Sequence, residues 1–321
     1  MTISEIARLA GVSTSTVSRV FSHHPNIRED VRARVLAAAR EHGYHPRLSS
    51  KQRNVVIVTP YDSVYPVQSC VDMILMALMR ELPRRGFRLE VLPCNNLERL
   101  ESIQFCGAVA VGAEPGDFKG WSERFPVPLV IVDRAAQPVS PDVCFVHSDE
   151  RQGMTLAIDH LYRRGCRRIG CIIHGDSGTG NADIRHAAIL AALRERKLPV
   201  EEPLICFSGP GSDRYVELIG KLLRQRADAL FCPGGNAGIV SLYALSLFNR
   251  QLPADISLIA SEQTFFSQHA VPPQTTISPD YPAIAAATAD VLERRLDGTP
   301  VPTDAATLPY RLISRESVRA Q

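Results

Sequence analysis

The stretch TISEIARLAGVSTSTVSRVF, from Thr2 to Phe21, reads as two short helices joined by one tight turn. Thr2 followed three residues later by Glu5 is a capping box, in which hydroxyl and carboxylate satisfy backbone N–H groups that a first helical turn leaves unpaired. Ile6 and Leu9 give the first helix an apolar side, Gly11 supplies the permissive backbone of the turn, and Ser13 is placed to cap the second helix. At about 100° per residue, Thr14, Ser15, Ser18 and Arg19 fall on one arc of that second helix and Val17, Val20 and Phe21 on the other. One face packs; the other presents hydroxyls and a guanidinium.

A third helix follows. Asn26 and Glu29 read as a second capping box, Val31, Val35, Leu36 and Ala39 recur at helical spacing, and Gly43 stands just past the end. Three helices in this order form a helix-turn-helix bundle. The outward arc of the second suits the major groove of double-stranded DNA, where hydroxyls bond bases or phosphates and Arg forks onto guanine O6 and N7. An ordinary solvated helix has similar letters, and the third helix is what separates the two readings. Residues 1–53 hold nine Arg and Lys against four Asp and Glu, a local net of +5 in a chain of formal net charge +2, which leaves −3 for the remainder. The positive charge lies where phosphates would lie, so binding is expected to weaken steeply with salt.

Beyond the basic head, short apolar runs alternate with helical stretches. Val55-Val56-Ile57-Val58, Ala108-Val109-Ala110-Val111 and Leu129-Val130-Ile131-Val132 form one series. After Asp149 the rhythm restarts: a helix through Arg164, the run Ile169-Gly170-Cys171-Ile172-Ile173, a helix over about Ala182–Lys197, Ala229-Leu230-Phe231-Cys232, a helix from about Ala237, and Ser257-Leu258-Ile259-Ala260. Runs apolar on both faces and separated by helices are the mark of parallel sheets, so two successive α/β lobes are expected. Ligands of such sheets bind outside the carboxyl ends of the strands, which places a small-molecule site in a cleft shared by the lobes.

Several function classes lose ground. No apolar run approaches the ~18 residues of a membrane span, and the N-terminal stretch is a capped helix where a secretory leader would be charged and then apolar, so a cytoplasmic location is expected. The eight cysteines show no C-x-x-C spacing and mostly sit in apolar segments, as buried reduced thiols do. Nine histidines are scattered without a ligand cluster, and neither a metal nor another cofactor is expected. Gly175-Asp176-Ser177-Gly178 has the letters of a serine-protease nucleophile but lacks the Gly that follows there, and its only neighbouring base, His174, is too close in sequence to reach back independently. Extended to Gly180 it is Gly-rich, yet it lacks the Lys of a P-loop and reads as a loop at the cleft mouth. No catalytic constellation assembles, and an enzyme is not expected.

The run from Ile6-Ala7 through Ala10-Gly11-Val12-Ser13 and Thr16-Val17-Ser18-Arg19-Val20 to Gly43-Tyr44-His45-Pro46 resembles the LacI/GalR family of bacterial transcriptional regulators. Looser likeness continues in residues 161–170, in Leu252-Pro253-Ala254-Asp255-Ile256-Ser257-Leu258-Ile259 and in Pro273-Gln274-Thr275-Thr276-Ile277. The resemblance implies base contacts from Thr14, Ser15 and Arg19, with Ser4, Ser13, Thr16 and Ser18 as phosphate or capping contacts. It implies a second domain like the periplasmic sugar-binding proteins, with effector contacts at Tyr65, Asp133, Arg185, Asn236 and Glu262, and with Asp62, Phe231 and Ser278 as secondary positions. It also implies a homodimer on a pseudopalindromic operator. The domains are then a helix-turn-helix head over 1–46, a linker over 47–53 and an effector-binding and dimerisation domain over 54–321. Its first lobe takes 54–146 with 276–304, its second 147–275 with 305–321.

Three departures from the family pattern bear on function. The segment between Pro46 and Val55 is about six residues short of the family's hinge helix, whose Leu wedges into the minor groove and kinks the DNA. Leu48 stands as the candidate wedge, and reduced or absent insertion is expected. Ser261-Glu262-Gln263 replaces Gly-Phe-Asp-Asp, so a carboxylate longer by one methylene stands at the effector position. The helix after Cys94-Asn95-Asn96 has room for barely two turns, from Leu97 to Ile103. The effector, if one binds, is a sugar, a sugar phosphate or another small polar metabolite. The apolar face Val71, Ile74, Leu75, Leu78 and Met79 is a candidate dimer contact, with packing on its own sheet as the alternative. Two functional readings remain: an effector-responsive regulator bound to operator DNA, and a small-molecule sensor whose DNA head is weakened, which the short linker favours.

Overall fold

The apolar runs become the central strands of two six-stranded sheets. The computed structural model describes residues 2–21, 24, 26–42, 44, 53–60, 69–125 and 127–320. In chain order the elements are α1 (Ile3–Ala10), α2 (Thr14–Phe21), α3 (Glu29–Glu41), β1 (Asn54–Thr59), α4 (Cys70–Arg84), β2 (Arg88–Pro93), β3 (Gly107–Val111), α5 (Trp121–Arg124), β4 (Leu129–Val132), β5 (Val143–Ser148), α6 (Glu150–Arg163) and β6 (Ile169–Ile173). There follow α7 (Gly180–Glu195), β7 (Ile205–Phe207), α8 (Tyr215–Arg224), β8 (Ala229–Cys232), α9 (Ala237–Leu247), β9 (Ser257–Ser261), α10 (Thr264–His269), β10 (Thr275–Ser278), α11 (Tyr281–Leu296), β11 (Asp304–Leu308) and β12 (Arg311–Ile313).

The chain divides into two compact units. The first takes in the described residues of Met1–Val64, Ile74–His147 and Tyr281–Thr307; the second takes in those of Tyr65–Met73, Ser148–Asp280 and Leu308–Gln321. The first sheet has strand order β11-β5-β4-β3-β1-β2, and its pairs from β5 to β2 are parallel, Ile57 standing between Val91 and Val109. The second has order β12-β10-β9-β8-β6-β7, parallel except where β12 runs against β10. Parallel neighbours need long crossovers, which the helices supply on both faces, and the strands in between are therefore dry on both sides. Val55 through Val58 are fully buried, as are Ala108 to Val111 and Leu129 to Val132.

In each sheet the strand order reverses direction once, at β1 in the first (β2 on one side, β3 on the other) and at β6 in the second (β7 and β8). Crossovers on opposite faces leave a crevice at that point, beyond the carboxyl ends of the flanking strands. His174 follows β6, and Gly234, Gly235 and Asn236 follow β8.

The fold departs from the sequence expectations in four places. Arg28, not Asn26, is the N-cap of α3, and no side chain bonds its first turn; Glu29 and Asp30 face the helix dipole there instead, and the Asn26–Glu29 capping box does not form. In α1 the buried positions are Ile6, Ala7 and Ala10, while Leu9 is 47% exposed, because α3 covers the arc one residue to its side. The strand β10 pairs with β9, so the chain leaves the second unit after Asp280 and not at 276; its second return falls between Thr307 and Leu308. On α4, Ile74 and Leu78 are buried, which answers for packing on its own unit, and Met79 remains 45% exposed. The short segment after β2 is a 3-10 helix, Cys94–Ser102, broken by the non-helical backbone of Asn96. All eight cysteines are free thiols, six of them buried; burial pushes Cys106 and Cys232 up to about 12, where the thiolate is negligible at neutral pH. Among the described residues no helix is long and apolar enough to cross a membrane, and no group of three His, Cys, Asp or Glu side chains is placed to hold a metal ion.

Candidate DNA interface and effector site

The head is built by local rules. Glu5 N–H donates to the Thr2 hydroxyl at 3.4 Å while the Thr2 backbone N–H donates to the Glu5 carboxylate at 2.7 Å, so the capping box of α1 is closed on both sides. Gly11 ends α1 at φ 64°, a left-handed conformation that favours glycine. Ser13 starts α2: its hydroxyl accepts the Thr16 N–H at 3.2 Å and lies 2.8 Å from the Ser15 hydroxyl and 2.9 Å from that of Thr16. Val17 and Val20 are fully buried against Ile6, Ala7, Ala10, Val35 and Leu36, and the Phe21 and Tyr44 rings meet edge to face at 5.8 Å. Packing on that side leaves Ser13, Thr14, Ser15 and Arg19 exposed together, with Thr16 and Ser18 half-buried at the margin; Ser4 is exposed on α1. Leu48 lies outside the described residues.

In the second unit the strand ends gather a different set. Arg185, on α7, donates through Nε and Nη2 to the two carboxylate oxygens of Glu150 at 2.8 and 2.5 Å, and the Tyr310 hydroxyl donates to the same carboxylate at 3.1 Å. Glu150 sits in the first turn of α6, where the Asp149 carboxylate caps Gln152 N–H at 2.9 Å. Gly234 and Gly235 have φ of 91° and 53°, and a Cβ on Gly234 would stand 2.6 Å from Arg185 Nη1 and 2.9 Å from His174 Cβ. Only glycine allows the backbone to lie this close to the guanidinium and the imidazole. Ser208, after β7, places its hydroxyl 3.5 Å from His174 Nδ1 and donates to the Gly209 carbonyl at 2.8 Å. Asn236 is the N-cap residue of α9 without a side-chain cap bond; its Oδ1 accepts from Gln263 Nε2 at 3.2 Å.

Glu262 follows β9 and is buried. Its two oxygens accept from Nη1 and Nη2 of Arg315, each at 2.9 Å, and the Thr276 hydroxyl also donates to it. Arg315 holds the Gln274 carbonyl at 2.6 Å as well, so this carboxylate is fixed within a network on the β10 side of the sheet. Ser278 and Phe231 are buried in β10 and β8. In the first unit, Asp133 follows β4 with φ 64°, an uncommon backbone for a residue with a side chain, and Arg134 beside it donates to the Gly112 carbonyl at 2.6 Å. Tyr65 and Asp62 lie outside the described residues. Glu150, Tyr310, Arg315 and Ser208 carry no role in the sequence reading, and His174 enters it only as the rejected base beside Ser177. Glu150 had a weak signal as the acid opening the helix after β5, and Arg315 had none.

Residues 2–47 match the model of the bacterial regulatory proteins of the lacI family, and residues 158–318 match that of the periplasmic binding protein-like domain. The chain belongs to the LacI family. It is a DNA-binding transcriptional regulator with a periplasmic-binding-protein-like second domain. It is 25% identical to the sucrose operon repressor of Streptococcus mutans, over 98% of this chain and 99% of that one. It is 27% identical to the transcriptional repressor CytR of Escherichia coli, over 99% and 96%. Among solved structures it is similar to the CelR regulator in complex with cellobiose, at TM-score 0.73, 24% identity and 99% coverage of both chains. The lac repressor dimer bound to operator and the anti-inducer ONPF gives TM-score 0.70 at 20% identity, covering 100% of this chain and 99% of that one. These two likenesses concern the fold.

Proposed function

We propose that this LacI-family chain acts as a homodimer on a pseudopalindromic operator, each head reading a half-site through Thr14, Ser15 and Arg19 and holding phosphates with Ser4, Ser13, Thr16 and Ser18. The observation that carries the reading is the arc of α2 exposed on a head whose core is packed and whose first two helices are capped: the packed side fixes the helix, and the polar side is left to the groove. A single head touches few bases, and a two-fold pair doubles the site. The protein works in the cytoplasm, where its operator is, and catalyses no reaction. Residues 47–53 are too short for a full hinge helix with its link to β1, so minor-groove insertion by Leu48 is reduced or absent.

The second domain answers to a small polar effector, a sugar or related metabolite, held at the carboxyl ends of the second sheet by Arg185, Asn236 and their neighbours. Relatives named for sucrose and cellobiose support this class, and so does the crevice at the β6 switch point. Asp133 and Tyr65 remain candidate contacts; Glu262 is a candidate of a different kind, since its carboxylate is already engaged. The short linker favours the second reading, a sensor with a weakened head. Selection of genomic fragments by the purified protein at moderate salt separates the two. A pseudopalindrome that Arg19→Ala binds about 10- to 100-fold more weakly supports the regulator; featureless enrichment indifferent to Arg19 rejects it.

A further inference from the structure

Two attachments within the first unit tie the head to the lobe that follows it. Arg40, exposed on the last turn of α3, donates from Nη2 to the backbone carbonyl of Ser122 at 2.8 Å, across 82 positions of sequence. Ser122 lies in α5 and is buried; its N–H donates to the Ser140 hydroxyl at 3.3 Å, and its own hydroxyl accepts the Asp142 N–H at 3.3 Å. Asp142 is gripped in turn by Arg295 of α11 at 2.5 Å. The carbonyl that receives Arg40 thus belongs to a braced part of the lobe.

The second attachment stands where the linker ends. The Arg53 carbonyl accepts the Arg88 N–H at 2.8 Å, its guanidinium lies 4.2 Å from the centroid of the Phe87 ring, and its Nη2 donates to Glu293 at 3.1 Å. Glu293 is shared with Arg85, which also holds Asp290 and Glu81, each at 2.8 Å. Asp290, Glu293 and Arg295 stand on the last two turns of α11, so one helix braces both attachments.

On the head side the chain is fixed as far as Tyr44, whose N–H donates to the Ala39 carbonyl at 2.9 Å and whose ring packs on Phe21. Residues 45–52 alone join Tyr44 to Arg53, a span of about 30 Å even when fully extended. A tether this short keeps the head at high effective concentration beside its own lobe, so few contacts suffice to dock it. The bond from a guanidinium to a carbonyl is charge-assisted and stronger than a neutral one. Docking through the end of α3 also leaves Ser13, Thr14, Ser15 and Arg19 exposed, so the contact presents the reading arc and does not mask it.

We propose that the head is docked on its own first lobe, with Arg40 as the latch and Arg53 as the anchor of the tether, so that a dimer offers its two reading helices at one set spacing. This rests on the operator reading above and deepens it, since the lobe surface then sets the spacing that the short linker has no hinge helix to set. Arg40 and Arg53 are positioning residues, and neither has to touch a base.

The test uses the full-length protein, its selected operator, and operators whose half-sites lie one base pair closer or farther apart, a change of about 3.4 Å along the duplex and about 35° around it. Docking predicts that the wild type prefers its own spacing by about 100-fold, within the gain that two-point binding gives over one head, and that Arg40→Gln loses about tenfold of this preference. Arg40→Lys, which still donates to the carbonyl, keeps most of it, and Arg53→Gln moves in the same direction as Arg40→Gln. Relaxation of 15N in the head amides of the free protein is the independent readout. A docked head tumbles with the whole dimer, and Arg40→Gln gives it the faster tumbling of a body of its own size. A wild-type head that already tumbles by itself overturns the proposal. So does Arg40→Gln weakening all three operators by one factor, which is the mark of a phosphate contact. If no operator is bound by any of these proteins, the operator reading fails, and the relaxation data still decide whether the head is docked.

Discussion

At the scale of single residues, short-range rules are legible and long-range pairs are not. Thr2, Glu5, Gly11 and Ser13 do what their spacing says, because capping involves partners two or three residues apart and little else decides it. Hydrogen bonds from the Thr2 backbone and hydroxyl hold the Glu5 carboxyl below its ordinary value. A group depressed in the folded state adds stability above its unfolded pKa and loses it as pH falls through the folded one. Melting of the head, followed by circular dichroism, is therefore expected to drop as pH falls below about 4, and Glu5→Gln should flatten that acid limb. An acid limb unchanged by Glu5→Gln would mean that the box adds nothing in solution. The same spacing at Asn26 and Glu29 misleads, since Arg28 is the cap and Asn26 bonds His24 through its N–H instead. Glu262 looked like a ligand carboxylate in sequence, and its partner Arg315 stands 53 positions away, beyond the reach of any local pattern.

At the scale of elements, the strands were the legible part and the surfaces between elements were not. A strand dry on both faces is a run of Val, Ile, Leu and Ala, and β1, β3, β4, β6, β8 and β9 fall where such runs stand. Helix α6 shows what the pattern omits. Gly153 lies inside it, where Ala is ordinarily worth about 1 kcal/mol more than Gly. Here a Cβ would stand 2.6 Å from the Tyr310 ring, which comes from the far end of the chain to bond Glu150. Gly153→Ala is accordingly expected to destabilise the second unit by about 1–3 kcal/mol through overpacking. Gly180→Ala, at the first position of α7 with no atom within 4 Å of the new Cβ, is expected to be neutral or stabilising. Urea unfolding of both variants checks the pair. If Gly153→Ala gained stability as propensity alone predicts, Tyr310 would not be held where Glu150 and Gly153 place it.

At the scale of the whole molecule, the two-fold operator and the effector are linked by thermodynamics whatever path the coupling takes. If the effector changes operator affinity by some factor, bound operator changes effector affinity by that same factor, because both routes connect the same four states. The direction of the effect is free, and its size in such systems runs to about 5- to 150-fold. The structure bears on how that factor responds to salt. The head carries the positive excess of the chain, and each phosphate it neutralises releases counterions, so operator affinity is expected to fall by about 10³ to 10⁵ between 50 and 200 mM salt if a dimer makes 6–10 phosphate contacts. A neutral effector, an uncharged sugar for example, releases none. Its affinity for the free protein is thus expected to stay flat over the same range, while the coupling factor is equal when measured from either side at each salt concentration. Titration of operator with and without saturating effector, and of effector with and without operator, supplies the four constants. Unequal factors at one salt would show that a second equilibrium, such as dissociation of the dimer, is being read along with the coupling. A salt-dependent effector affinity in the free protein would show that charge is exchanged at the ligand end, and that Arg185 or Glu262 leaves its partner when the effector binds.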